Sequence, residues 1–406
     1  MSQLQNVSFS VIFLAEEKKE GCGWPFPAKC RSPQTHLSTH KMNATTPHQI
    51  MQRWNTVQFQ LLPDLLSDSD VLTPTLEKLI HTLEWARIEE FVCASRTAIG
   101  RIPHERSWIA NAFIAKAVLG LTTTVHLIER LTIDRTLRRI CGFPCHKKLP
   151  SESTFSRAFD ELAEAKLAER AHDAFVKAHF ADRLIGHINR DGTAIEARER
   201  PVKKPKESEK GKPKRGRPCK GQEPVPKLNI ARQRSQSLDE MLSEIPKQCS
   251  RGAKSNAQGY KNSWNGYKLH LDIADCGVPI SALLSSASMH DSRAAIPLSY
   301  LSNDRVTNLY DLMDAAYCSQ ELQEHCRSLG HVPLIDHNAR GGIKEEFEPA
   351  DKVRYRERSA AERANARLKD EFGGRNIWVR GPTKVMSHLM FGILALSVDQ
   401  LLRLRR

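Results

Sequence analysis

Near residue 184 the hydrophobic pattern of this chain changes period, and that change limits the folds open to it. From about 75 to 180, apolar residues recur at three- and four-residue spacing, as in "SWIANAFIAKAVLGL" and "VHLIERLTIDRTLRRICGF", which predicts an all-α block. Beyond it, "RLIGHINRDGTAIEA" alternates apolar and polar residues up to Asp191 and Gly192, as a strand ending in a turn would. "YKLHLDIA" and "VPISALLSSAS", separated by "DCG", predict a hairpin. "RVTNLYDLMDAAY" then predicts a strand ending near Asp314, "SQELQEHCRSLG" a helix stopped by Gly330, and "HVPLID" a further strand. Strands followed by helices in this order imply a mixed α/β sheet. A long helix at 355–370 would follow it, and an apolar helix at about 384–403 would cover the sheet.

These patterns divide the chain into a poorly ordered leader of unknown role at 1–70, a helical N-terminal domain at 71–180, expected to bind DNA if it holds the helix-turn-helix considered next, and a sheet-bearing domain at 181–406. In the helical block, "LPSESTFSRAFDELAE" can start a helix at Pro150 and Ser151. It is either the second helix of a helix-turn-helix, with Ser153, Thr154, Ser156 and Arg157 toward a DNA groove, or half of a plain helical hairpin. Residues 199–258 interrupt the sheet-bearing domain with a basic, flexible insertion. From Arg198 to Lys220 there are eleven Lys or Arg against three Glu and almost nothing apolar, too little to build a core. Arg215 and Arg217, within "KRGRPCKG", resemble the core of an AT-hook, which lays arginines into a narrow minor groove, and some DNA contact is favoured over an inert linker.

The net charge of +14 implies a polyanionic partner, since clustered Lys and Arg gain free energy by displacing counterions from a phosphate backbone. Nucleic acid fits better than a membrane, because no segment offers about 20 uninterrupted apolar residues. Ten scattered cysteines suit reduced thiols in the cytoplasm. Cys22, Cys30, His36 and His40 end in a zinc-finger-like His-x3-His, but the Cys spacing is too wide and the middle gap too short for the usual finger. Met42 offers an alternative start.

The chemistry concentrates in acidic residues. If their strands are neighbours, Asp191 and Asp314 bring two carboxylates together, and Glu362 on a crossing helix would supply a third. Hard oxygen donors of this kind hold Mg2+ ions that leave positions open for water and phosphate oxygens, and a pair of such ions drives in-line phosphoryl transfer. In "YRERSAAERANARLK", a continuous helix turning about 100° per residue places Tyr355, Arg358, Glu362 and Lys369 at roughly 0°, −60°, −20° and −40°, one narrow stripe. Arg358 and Glu362 also have the spacing of an ordinary surface ion pair.

Tyr355-x2-Arg358-x3-Glu362-x6-Lys369 resembles the Tyr-Arg-Glu-Lys signature of a group of bacterial insertion-sequence transposases of the DDE type. "RDGTAIEARE", "LMDAAYCS" and "GHVPLIDHNAR" resemble that group in the same order, as does "GYKLHLDIADCGVPISALLSSASMHDS". The resemblance implies a ribonuclease-H-like mixed sheet flanked by helices, preceded by an all-α N-terminal domain. It implies that Asp191, Asp314 and Glu362 are catalytic and bind two Mg2+ ions, with Mn2+ able to substitute. Tyr355, Arg358 and Lys369 would contact DNA. The expected protein binds double-stranded DNA at terminal inverted repeats, cleaves the element ends and joins the 3′-hydroxyl to target DNA. It would act as a homodimer in the synaptic complex, in the bacterial cytoplasm at the nucleoid. The alternatives are a metal-dependent nuclease of the same fold and a DNA-binding descendant without catalysis. Asp311 competes with Asp314, and His290 and Asp291 are further candidates for lining the site.

Overall fold

Thr73 accepts a hydrogen bond from the Leu76 N–H, and Pro74 supplies a preset backbone angle, so helix α1 (Pro74–Ala86) begins there. The computed structural model describes residues 72–92, 104–202, 229–255, 259–338 and 344–405, all within the unit Met42–Arg406. After α1 come α2 (Arg106–Val118), α3 (Thr124–Ile133), α4 (Arg135–Ile140), α5 (Glu152–Glu164) and α6 (Leu167–Phe180), as the 3.6-residue pattern requires. Helix α5 starts after Ser151, whose hydroxyl bonds to those of Ser153 and Thr154 at 3.0 Å each. Its face bearing Ser153, Ser156 and Arg157 is exposed. The connection from α4 to α5 runs from Cys141 to Ser151, longer than the tight turn of a helix-turn-helix.

Six strands form one mixed sheet: β1 (Leu184–Glu196), β2 (Ser250–Ser255), β3 (Lys261–Ala274), β4 (Pro279–Ser286), β5 (Thr307–Met313) and β6 (Val332–Ile335). Along the sheet the order is β2-β3-β1-β5-β6, with β4 also paired to β3. β1 is antiparallel to β3 and parallel to β5, and β5 is parallel to β6. β3 and β4 form the expected hairpin across Asp275 to Val278. Gly266 has φ +149° where β3 passes from β2 to β4, and a Cβ there would stand 2.2 Å from the Ile195 carbonyl oxygen. Helix α9 (Ser292–Asn303) makes the crossover from β4 to β5, and α10 (Gln320–Ser328) the one from β5 to β6. This is the mixed, helix-flanked sheet that the sequence implies.

The helical block packs against the sheet, and three expectations change. Helix α13 (Pro382–Arg405) is apolar nearly all round and packs on α1, α2, α5 and α6 as well as on β4, so one hydrophobic core runs from Leu76 to Leu401. Phe391 on α13 stands 5.7 Å from Phe113 on α2 and 6.2 Å from Phe159 on α5, ring centre to ring centre. The 24-residue helix is long and apolar enough to cross a membrane, but its apolar surface is spent inside the protein.

The expected insertion at 199–258 is partly built into the fold. Its residues 229–255 form α7 (Asn229–Gln233), α8 (Leu238–Glu244) and the edge strand β2, because Ile230 and Met241 are buried in a second apolar cluster with Ile296 and Leu322, and Ile245 in a third with Leu283 and Leu298. Ser237 and Glu240 close a capping box on α8. Arg215 and Arg217 lie outside the described residues, as do Cys22, Cys30, His36 and His40.

β1 does not stop at Asp191. Antiparallel pairing with β3 carries it on to Glu196, while its parallel pairing with β5 ends at Asn189 and Leu312. The helix expected over 355–370 is also interrupted. α11 (Pro349–Tyr355) is followed by a 3-10 turn at Arg356–Arg358 and then α12 (Ser359–Asp370). Tertiary contacts hold the end of α11, with Arg354 3.8 Å above the Tyr310 ring and Tyr355 4.8 Å from Phe347, and they override the helical propensity of the stretch.

Candidate active site

Asp191 and Asp314 are brought together by strand register. Asn189 pairs with Leu312 in the parallel ladder, so two residues further along each strand these aspartates stand side by side just past its end. Asp314 follows β5 directly and caps the short 3-10 helix Ala315–Tyr317, its Oδ1 accepting from the Ala316 N–H at 3.0 Å. Below them Arg190, whose side chain must leave the opposite face of β1, makes a buried bidentate pair with Asp272 at 2.7 Å for both bonds. That pair anchors the strand that presents Asp191.

Burial, and then the charge of Asp314, push the Asp191 carboxyl up to about 6. Burial also raises Asp314, with Asp291 adding to the effect. Arg358 and Lys254 pull both carboxyls back toward ionisation. Two half-buried carboxylates, one of them raised by the charge of the other, form a donor set that a hard divalent cation would relieve, so these residues fit the implied metal.

Helix α12 crosses β1 at this point. Asn365 donates to Asp191 Oδ2 at 2.9 Å, and one turn later Lys369 Nζ donates to Thr193 Oγ1 at 2.6 Å. Burial lowers Lys369, as does Arg375, against the pull of Asp191. Glu362, one turn before Asn365, is turned outward. Its side chain is 58% exposed and accepts from Arg358 at 2.7 Å. Burial opposes the charge on Arg358, but Tyr355, Glu362 and Asp191 outweigh it and its pKa lies above the ordinary value. Burial raises the Tyr355 hydroxyl to about 12. Among the described residues, no group of three His, Cys, Asp or Glu side chains is positioned to hold a metal ion.

Of the sequence-derived candidates, the structure joins Asp191 and Asp314, sets Arg358 and Lys369 around them, and leaves Glu362 at the rim in the ion pair that its spacing also allowed. Tyr355 closes α11 beside Arg358. Asp311 is excluded as the second carboxylate, because it is buried in bonds with Asn308 and His331. Asp291 pairs with Lys268 at 2.8 Å and lies against Gly192, where a Cβ would meet its Oδ1 at 3.2 Å. His290 bonds to the Ser292 hydroxyl at 2.7 Å. Sequence reasoning missed Lys254 and Asn365. Lys254 lies outside every motif and Asn365 at an unspecified position between Glu362 and Lys369, and only the fold brings them to the aspartates.

Two family models match the chain. Residues 64–161 match a family described as a transposase domain (DUF772), and residues 230–398 match one described as a transposase DDE domain. The second match contains Asp314, Glu362 and Asn365, and Asp191 precedes it. No curated protein and no solved structure matches the chain.

Proposed function

Because this chain belongs to the insertion-sequence transposases of the DDE type, we propose that its Asp191–Asp314 centre cleaves DNA at the ends of a mobile element and joins the freed 3′-hydroxyl to target DNA. The protein is a DNA transposase with a ribonuclease-H-like fold, and members of its family act with divalent metals. The observation that carries the finer reading is the pair of half-buried carboxylates at neighbouring strand positions, with the charge of Asp314 raising Asp191.

Asp191, Asp314 and Glu362 would hold the Mg2+ ions, or Mn2+ in their place. When bound, the metal supplies activation of the attacking oxygen and charge stabilisation at the leaving one. The chain's own side chains position the substrate. Arg358, at the end of the 3-10 turn, and Lys369, on α12, flank the carboxylates and hold phosphates on either side of the scissile bond. Tyr355 packs against the terminal nucleotide, where its ring can stack on a displaced base. A DNA phosphate competing for Arg358 would release Glu362 from its ion pair and let it turn toward the aspartates. Water attacks first and a DNA hydroxyl second, with no covalent enzyme intermediate.

The terminal inverted repeats are the specific ligand, and bringing two of them together calls for a homodimer. The exposed face of α5 and the basic tract around Arg215 and Arg217 are the further DNA contacts in this reading. The test uses the full chain, paired substrates carrying the element ends, target DNA and Mg2+. Strand-transfer products support the reading. Hydrolysis alone would make the protein a nuclease, and binding without cleavage a regulatory descendant.

A further inference from the structure

Helix α12 buries a face made of Ala360, Ala361, Ala364 and Leu368, small and apolar as helix packing on a sheet favours. Asn365 breaks that pattern. It is a poorer helix former than alanine by roughly 0.5 kcal/mol, and its amide is only 5% exposed. Burying an amide needs hydrogen bonds in return, and here the Nδ2 has one protein partner, Asp191 Oδ2 at 2.9 Å. Its Oδ1 is buried with no partner among the described residues. Packing alone would be better served by Ala or Leu. A half-satisfied amide in an apolar helix face, aimed at a site carboxylate, indicates a role in that site.

We propose that Asn365 is a positioning residue that fixes the Asp191 carboxylate for cation binding, its amide nitrogen holding one carboxylate oxygen. The proposal rests on the reading of Asp191 as a metal-binding residue. Its physical basis is that a carboxylate which binds a cation loses rotational freedom on doing so, and a hydrogen bond from a rigid helix removes that freedom beforehand. The same helix anchors itself one turn later through Lys369 and Thr193, so α12 meets β1 at two successive points and the Asn365 amide has little room to move. Glu362 occupies the preceding turn, so one helix would both orient the first aspartate and carry the third carboxylate.

The experiment titrates Mn2+ alone into the full-length protein by calorimetry, comparing the parent with Asn365→Leu, Asn365→Ala and Asp191→Asn, and records melting temperatures in chelator. Both Asn365 variants are expected to bind Mn2+ about 10- to 100-fold more weakly, the range for losing a bond that orients a metal ligand. Their melting temperatures should stay close to the parent's, and Asp191→Asn should lose the site. If the Asn365 variants bind Mn2+ like the parent while Asp191→Asn does not, the proposal fails and the metal reading stands. If both Asn365 variants melt far below the parent, the residue is structural and the proposal fails. If Asp191→Asn binds as tightly as the parent, the metal reading fails and takes the proposal with it.

Discussion

Asp191 is held charged in a place that disfavours charge: half-buried, beside Asp314, with Arg358 and Lys254 only partly compensating. Folding therefore works against this carboxylate at neutral pH in the absence of metal, and replacing it should help the metal-free protein. We expect Asp191→Asn to abolish DNA-end cleavage, leave DNA affinity nearly unchanged, and raise the metal-free stability at pH 7 by about 1 kcal/mol. Gel-based cleavage, a binding titration and thermal melting would check the three parts, and cleavage equal to the parent's would remove Asp191 from the site. The two aspartates were legible in the sequence because each ends or interrupts an alternating apolar run and is followed by small residues. Asn365 and Lys254 were not, since a single Asn in an Ala-rich helix and a single Lys on an edge strand carry no periodic signal. The outward turn of Glu362 was not legible either. Its spacing from Arg358 suits a metal site and an ion pair equally.

At the level of elements, α2 and α13 meet around a buried charge. Lys116, 7% exposed, lines a small cavity with Phe113, Phe159, Phe372, His388 and Phe391, and burial lowers it to about 8. His388 opposite is lowered to about 4, first by burial and then by Lys116. A lysine depressed in the folded state takes up fewer protons than in the unfolded chain between about 8 and 10.5, so its contribution to stability rises with pH across that window and is lost as pH falls through 8. Lys116→Met should therefore stabilise the protein at pH 7 by about 2 kcal/mol, a gain that shrinks toward pH 10.5. Melting curves of both proteins from pH 7 to 10.5 would show the difference closing; a constant difference would contradict it. Most strands and helices were readable from period alone, since alternation and 3.6-residue spacing are imposed by burial on one face. The break between α11 and α12 was not, because it depends on Tyr310 and Phe347, residues that only the fold brings near.

For the molecule as a whole, α13 ties the helical block to the sheet, so the two should unfold together. Phe391→Ala, at the aromatic junction of α2, α5 and α13, should cost about 3–5 kcal/mol and move a single transition. Two separate calorimetric transitions in the parent would contradict the shared core. That sharing was hidden in the sequence, which shows that α13 is apolar all round but not what surrounds it. Charge was plainer. Neutralising Arg215 and Arg217 together should weaken DNA binding and reduce the slope of log affinity against log salt by about 2 if both meet phosphates, whereas an unchanged slope would make their segment a spacer. The account as a whole depends on Asp191 and Asp314 sharing divalent cations, and anomalous diffraction from crystals grown with Mn2+ reads this directly. The account predicts a Mn2+ peak at coordination distance, about 2.0–2.4 Å, from oxygens of both aspartates; full occupancy elsewhere, with none between these two, would contradict it.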